Sequence, residues 1–288
     1  MNTHSMVSSV LVAGLAFLVT PAQAASIIPF FFSTGNPDGK IGTLSRPSGP
    51  GLLETETADD FITTLPTTIT SATFIGLLPI GALLTSIGGI EIEFYHVFPG
   101  DSTNPPSGNV PTRVNSPGDR EFAAFDSAAG GLTFATTLLN SSFTVSNTVV
   151  NGIHPVPTQF TGGEGPATGQ EVLFSIMFNT PLALSPDHYF FRPEVRLTNG
   201  NFLWLSAPKP IVAPGTPFTP DLQSWIRNAN LSPDWVRIGT DVTGPGPFNA
   251  AFSLTGTQVV PEPSPVLILG SGLALLAIRR RIAARKVV

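Results

Sequence analysis

Phe248-Asn249-Ala250-Ala251-Phe252-Ser253-Leu254-Thr255 puts an apolar side chain at every second position, Phe248, Ala250, Phe252 and Leu254, with Asn249, Ser253 and Thr255 on the other side. Successive side chains of a strand point to opposite faces, so this spacing predicts a β-strand with one packed and one wet face. The same period recurs upstream. Ile90, Ile92 and Phe94 alternate with Glu91 and Glu93, and Val172, Phe174, Ile176 and Phe178 alternate with Glu171, Ser175 and Asn179. Phe143 and Val145 alternate with Ser142, Thr144 and Ser146. Further β-branched or aromatic runs, fenced by Gly, Pro and Asn, cover residues 27–33, 67–77, 132–138, 188–198, 201–206 and 235–239. About ten short strands joined by polar turns predict an all-β body, an antiparallel β-sandwich or jelly roll.

Helix signals are few between the termini. Thr219-Pro220-Asp221 offers a cap, a proline at the first helical position and an acid in the first turn, which predicts two turns over residues 220–227. Ser232-Pro233-Asp234 repeats the device before Trp235. No internal repeat is present, and residues 99–118 form a polar loop rich in Pro, Ser and Asn, either a lid or an exposed excursion.

Composition narrows the functional classes. Charged residues are 11% of the 288, against a typical ~25%, too few to solvate the surfaces of a helix bundle or coiled coil. Gly and Pro, 28 and 29 residues, stay below the roughly 25–30% that marks a non-periodic chain as disordered. The absence of cysteine excludes disulfides, thiolate zinc sites, iron–sulfur clusters and a cysteine nucleophile. Between the two terminal segments, nine Lys and Arg face eighteen Asp and Glu. Such a body opposes phosphate backbones, so nucleic acid is not an expected partner, and cations or a neutral polymer suit it better.

The ends carry addresses. An apolar run over residues 6–19, then Pro21 and the small residues Ala22 and Ala24 around Gln23, predicts a signal peptide over residues 1–24, cut by signal peptidase after Ala24. At the other end, Pro261-Glu262-Pro263 precedes an apolar segment (265–278) and a basic tail (279–288) with Arg279, Arg280 and Arg281 at its head. This order, over about 28 residues, resembles the PEP-CTERM sorting signal of Gram-negative bacteria. The apolar residues 266–278 would rise only about 20 Å as a helix, short of the ~30 Å hydrocarbon core, which suits a temporary stop in the inner membrane. The basic tail would remain cytoplasmic. The resemblance implies processing by exosortase, a membrane-embedded transpeptidase, near Pro261, Glu262 and Pro263, and then release to the cell surface or extracellular matrix. A permanent single-span anchor is the alternative. The division expected is therefore signal peptide 1–24, secreted body 25–258 and sorting signal 259–288.

Candidate chemistry in the body is sparse. Gly100-Asp101-Ser102 follows a strand, as the serine of GDSL-type esterases does, but no Asp lies three residues before His96, His154 or His188, so a turn is the better reading. Ser206-Ala207-Pro208-Lys209 matches S-x-x-K, but Pro208 and Pro210 forbid the helix that pattern needs. The Gly-rich stretch 162–169 lacks the Lys and hydroxyl of a phosphate loop and reads as a mobile turn. The three histidines are too far apart in sequence for a metal motif, and Glu91 and Glu93 share a strand face as a carboxylate pair. Asp59 and Asp60, after Glu54 and Glu56 and in front of a strand, offer hard oxygen ligands for Ca2+, or else form a solvated acidic edge strand. Trp204, Trp225, Trp235, Tyr95 and Tyr189 are either a sugar-stacking platform or core.

Stretches such as His188-Tyr189-Phe190-Phe191 and 202–208 are similar to those of uncharacterised secreted proteins bearing the same sorting signal, a likeness that implies no activity. The expectation is a secreted, non-enzymatic protein of the cell surface or exopolysaccharide matrix. A calcium-dependent carbohydrate-binding protein and an extracellular polysaccharide or ester hydrolase are the alternatives.

Overall fold

A computed structural model describes residues 25–102, 108–153, 160–208, 222–244 and 246–261. Ala22, Ala24, Glu262, Pro263, Arg279, Arg280, Arg281, His154 and Lys209 lie outside the described residues, as do residues 220 and 221 of the expected helix. One compact unit runs Ile27–Val260.

Its strands are β1 (Ser26–Ser33), β2 (Ile41–Leu44), β3 (Thr55–Ile62), β4 (Thr67–Pro79), β5 (Ile87–His96), β6 (Ala123–Asp126), β7 (Leu132–Val145), β8 (Asn147–Val149), β9 (Ala167–Leu184), β10 (His188–Leu197), β11 (Leu203–Ala207), β12 (Trp225–Asn228), β13 (Val236–Arg237), β14 (Asn249–Ala250) and β15 (Phe252–Val260). They form two sheets, so the protein is mostly β. The nine-stranded sheet runs β1-β15-β4-β11-β2-β8, with β9 on β4, β7 on β9 and β14 on β11; the six-stranded sheet runs β13-β12-β3-β10-β5-β6. β2 and β8 pair in parallel, whereas β3, β10 and β5 are antiparallel neighbours.

The main core takes side chains from both sheets. Phe61, Ile92, Phe94 and Phe191 of the six-stranded sheet meet Phe32, Phe74, Phe174, Trp204 and Phe252 of the other. Phe191 stacks on Phe252 with centroids 5.1 Å apart, and Phe74 on Phe174 at 4.7 Å. Burying each ring is worth roughly 1.5–3 kcal/mol, and this one cluster accounts for most of the phenylalanine in the periodic stretches. Because alternate residues of β5 and β10 point inward to it, their other residues, Glu93, Tyr95, Phe190, Arg192 and Glu194, share the opposite face.

Three expectations are corrected. Residues 225–228, expected in a helix over 220–227, form β12, every residue of it buried, because Trp225 and Arg227 pair with Ala58 and Glu56 of β3 and sheet pairing overrides the local cap signal. Asp59 and Asp60 are not in front of a strand or on an edge; they lie inside β3, which is flanked by β12 and β10. The strand over 248–255 breaks at Ala251. β14 pairs with β11 and β15 with β4, and Asn249, expected to be wet, is fully buried.

Candidate functional site

The outward face of β3, β5, β10 and β12 carries an apolar patch and, beside it, a cluster of ions. The patch is Ala58, Tyr95, Phe190, Trp225 and Trp235. Chain from two loops covers it. Trp235 Nε1 donates to Gly118 O at 3.2 Å, and Arg113, itself buried, bonds Asp234 at 3.0 Å and Asp119 at 3.1 Å. The polar loop around residue 113 is therefore tied to the fold by a buried guanidinium.

Where the cover ends, a cavity of about 300 Å³ opens, lined by Glu54, Glu56, Glu93, Tyr95, Glu121, Arg192, Arg227, Ala229 and Ser232. Strand register builds it. Arg192 lies opposite Glu93, and Arg227 opposite Glu56, so each guanidinium meets a carboxylate across one strand spacing. Arg192 Nη2 is 2.7 Å from Glu93 Oε2 and 3.1 Å from Glu56 Oε1, while Nη1 is 2.8 Å from Glu194 Oε2. Arg227 grips Glu56 through Nε and through Nη2 at 2.9 Å, and its guanidinium lies 4.3 Å from the Trp235 ring centre. Tyr95 donates its hydroxyl toward Glu93 at 2.5 Å and Glu56 at 3.1 Å.

These surroundings drive the carboxyls apart. Burial pushes Glu93 up to about 7, although Arg192 and the Tyr95 hydroxyl oppose it. Burial also pushes Glu194 up to about 8, against the pull of Arg192. Glu56 is also buried, yet the charges of Arg192 and Arg227 and the hydrogen bonds from Arg227 and Tyr95 outweigh desolvation and hold it below the ordinary range. One protonatable carboxyl and one firmly ionised carboxylate thus face the same cavity, a pairing that suits proton transfer as well as binding. The rigid guanidinium–carboxylate lattice also fixes donors and acceptors that a polar ligand would meet in fixed directions.

Of the sequence candidates, Glu93 and Tyr95 line this cavity, with Glu54 and Glu56, and the others fall elsewhere. Glu93 belongs to the cavity, while its strand neighbour Glu91 pairs in register with Glu194 and Asp126 and lines a separate cleft with them. Asp59 accepts the N–H groups of Ala250 and Asp60, and Asp60 accepts Gln223 N–H at 2.9 Å and meets His188 Nε2 at 2.6 Å. Both carboxyls are fully buried, and burial raises both, Asp59 the more because Asp60 is its neighbour. Among the described residues no three His, Asp or Glu side chains gather as a metal site, and the oxygens of Asp59 and Asp60, expected as Ca2+ ligands, are held by backbone N–H groups and His188. Trp204, Trp225, Trp235, Tyr95 and Tyr189 are all buried, so they form no exposed stacking platform, and Tyr95 instead lines the cavity with its hydroxyl on Glu93 and Glu56.

His96 pairs with Asp101 and stacks on Phe122 at 4.2 Å, but Ser102 Oγ is engaged with the backbone of Gly100 and Asp119. Ser206 is buried and holds Asp38 and the N–H of Ile41. The Gly-rich turn is anchored, since Glu164 accepts the N–H groups of Val150, Asn151 and Gly152. Sequence reasoning noted Glu56 only as an acid before Asp59 and missed Arg192, Glu194 and Arg227 as partners in a site. The usable signal was charge at alternate positions inside otherwise apolar strands, Arg192 and Glu194 in β10 and Arg227 beside Trp225. Among the described residues no helix is long and apolar enough to cross a membrane; residues 265–278 lie outside them. Comparison with protein-family models, with curated proteins and with solved structures gave no match.

Proposed function

We propose that this chain is an exported, non-enzymatic protein of the cell surface or exopolysaccharide matrix, an antiparallel β-sandwich delivered by its N-terminal signal and sorted through its PEP-CTERM-like C-terminus. The observation that carries the reading is where the folded unit stops. The compact unit runs Ile27–Val260, and β15 ends at Val260, immediately before Pro261-Glu262-Pro263. A cut at that motif would free the body without taking a residue from a strand. The test is to replace Pro261, Glu262 and Pro263 with alanine in the native host and fractionate the cells. The body is expected to stay in the inner membrane; unchanged delivery to the surface would refute the sorting role.

Within that reading, the cavity at Glu56, Glu93, Tyr95, Arg192 and Arg227 is the site we assign to matrix polysaccharide, whose hydroxyls match fixed carboxylate and guanidinium edges. A second reading is favoured by one observation. Glu93, raised to about 7, beside ionised Glu56 has the makings of an acid–base pair, as an extracellular hydrolase would need. Reducing ends released from the host's polysaccharide, and lost with Glu93→Gln, would establish that reading in place of the first.

A further inference from the structure

We propose that β7 is a self-association edge, on which a second copy of this chain pairs antiparallel about a two-fold axis at Ala135. β7 pairs with β9 on one side and, among the described residues, with no strand on the other. Its outward N–H and C=O groups are then a row that another strand can complete. Residues 132–138, Leu-Thr-Phe-Ala-Thr-Thr-Leu, pair with β9 without interruption before the register shifts between Leu138 and Asn140. They are rich in β-branched and aromatic side chains and carry no charge, proline or glycine, the composition of segments that pair with copies of themselves.

Other outer strands are guarded as edges usually are. β1 contains Pro29, β6 is short and ends at Asp126, and β8 and β13 have three and two residues. β7 has none of these devices before Leu138. Phe134 and Leu138 share a face with buried Leu132, yet remain 37% and 44% exposed, and Leu139 beside them is 47% exposed.

Self-complementarity points to a second copy. An antiparallel pair centred on Ala135 sets Phe134 opposite Thr136, Thr133 opposite Thr137 and Leu132 opposite Leu138, with no like charges facing. The body's excess of acids repels its own copies elsewhere, whereas this stripe is neutral, and a charged partner would find no counter-charge on it. Seven residues span about 24 Å and a sheet edge is about 10 Å thick, so the pair buries roughly 500 Å², under the ~1,000 Å² of a stable interface. The association is therefore weak and concentration-dependent, and it is independent of the polysaccharide reading.

The chain has no cysteine, so a single introduced thiol reports its own neighbour. Cβ atoms directly opposite lie about 4.5–5.5 Å apart, close to disulfide range, whereas Thr133→Cys or Thr137→Cys would sit about 14 Å from its own copy. Under a mild oxidant, the full chain in detergent should give a reducible dimer with Ala135→Cys, growing with concentration, and at least ten-fold less with Thr133→Cys or Thr137→Cys alone. Mixing those two variants should restore a dimer, and Thr137→Lys added to Ala135→Cys should suppress it. Equal cross-linking at all three positions, any other order among them, or an Ala135→Cys chain that stays monomeric would overturn the proposal.

Discussion

Raising the pH from 5 to 8 should destabilise the body, contrary to the usual acid sensitivity of proteins. Glu194 keeps its proton in the fold up to about 8 and Glu93 up to about 7, while an unfolded chain releases both near the ordinary value of 4.5. Between those values the fold binds more protons than the unfolded chain, so this stability is fully present below 4.5 and is lost as pH rises through 7 and 8. Each pKa unit is worth about 1.4 kcal/mol, giving at most about 4 kcal/mol for Glu194 and about 3 for Glu93 over that window. The two share Arg192, so their titrations are coupled and a total fall on the order of 3 to 5 kcal/mol is expected. The assay is urea unfolding of residues 25–260 at half-unit pH steps, compared with Glu194→Gln. The amide mimics the protonated carboxyl, so the variant should match the wild type at pH 5 and flatten its slope toward pH 8. A wild-type stability that is level or rising over this range, or a variant with the full slope, would refute the account of the buried cluster.

Four further outcomes follow from the same geometry. Arg192→Met should cost about 3–5 kcal/mol in urea unfolding, because it takes from the buried, ionised Glu56 one of the two guanidiniums that hold it. Phe191→Ala, which empties the stack on Phe252, should cost about 3–5 kcal/mol and lower the thermal midpoint. Gly76→Ala would place a methyl 2.0 Å from Phe202 Cε2 and 2.9 Å from Leu203 O, so a loss of about 1–3 kcal/mol or more is expected in the same assay. A thermal melt of residues 25–260 should have the same midpoint in calcium and in chelator, since backbone N–H groups and His188 already occupy Asp59 and Asp60.

Alternation made the long strands legible. β5, β9, β10 and the β14–β15 region bury Ile92, Phe174, Phe191 and Phe252 at the spacing their sequence displays. β3 was legible only as an acidic edge strand, one of two readings, and its buried central place was not, because Thr-Glu-Thr-Ala-Asp-Asp-Phe-Ile carries three acids that sheet propensity disfavours. Its acids are sustained by Arg227, Arg192, His188 and two distant backbone N–H groups, partners up to 191 residues away in the chain. β12 was hidden for a related reason. Its four residues follow a convincing helix cap, and only pairing with β3 decides their state. The cavity combines both cases. Glu93 could be picked from the alternation of β5, whereas its partners come from strands whose adjacency no local pattern announces.

The central claim is that the body is cut from its two addresses and carried out of the cell. Intact-mass spectrometry of the protein recovered from the host's surface and matrix tests it most directly. The account predicts a chain that begins at Ala25 and ends at or next to Pro261, Glu262 or Pro263. A chain recovered with residues 264–288 still attached, or found only in the inner membrane, would contradict it.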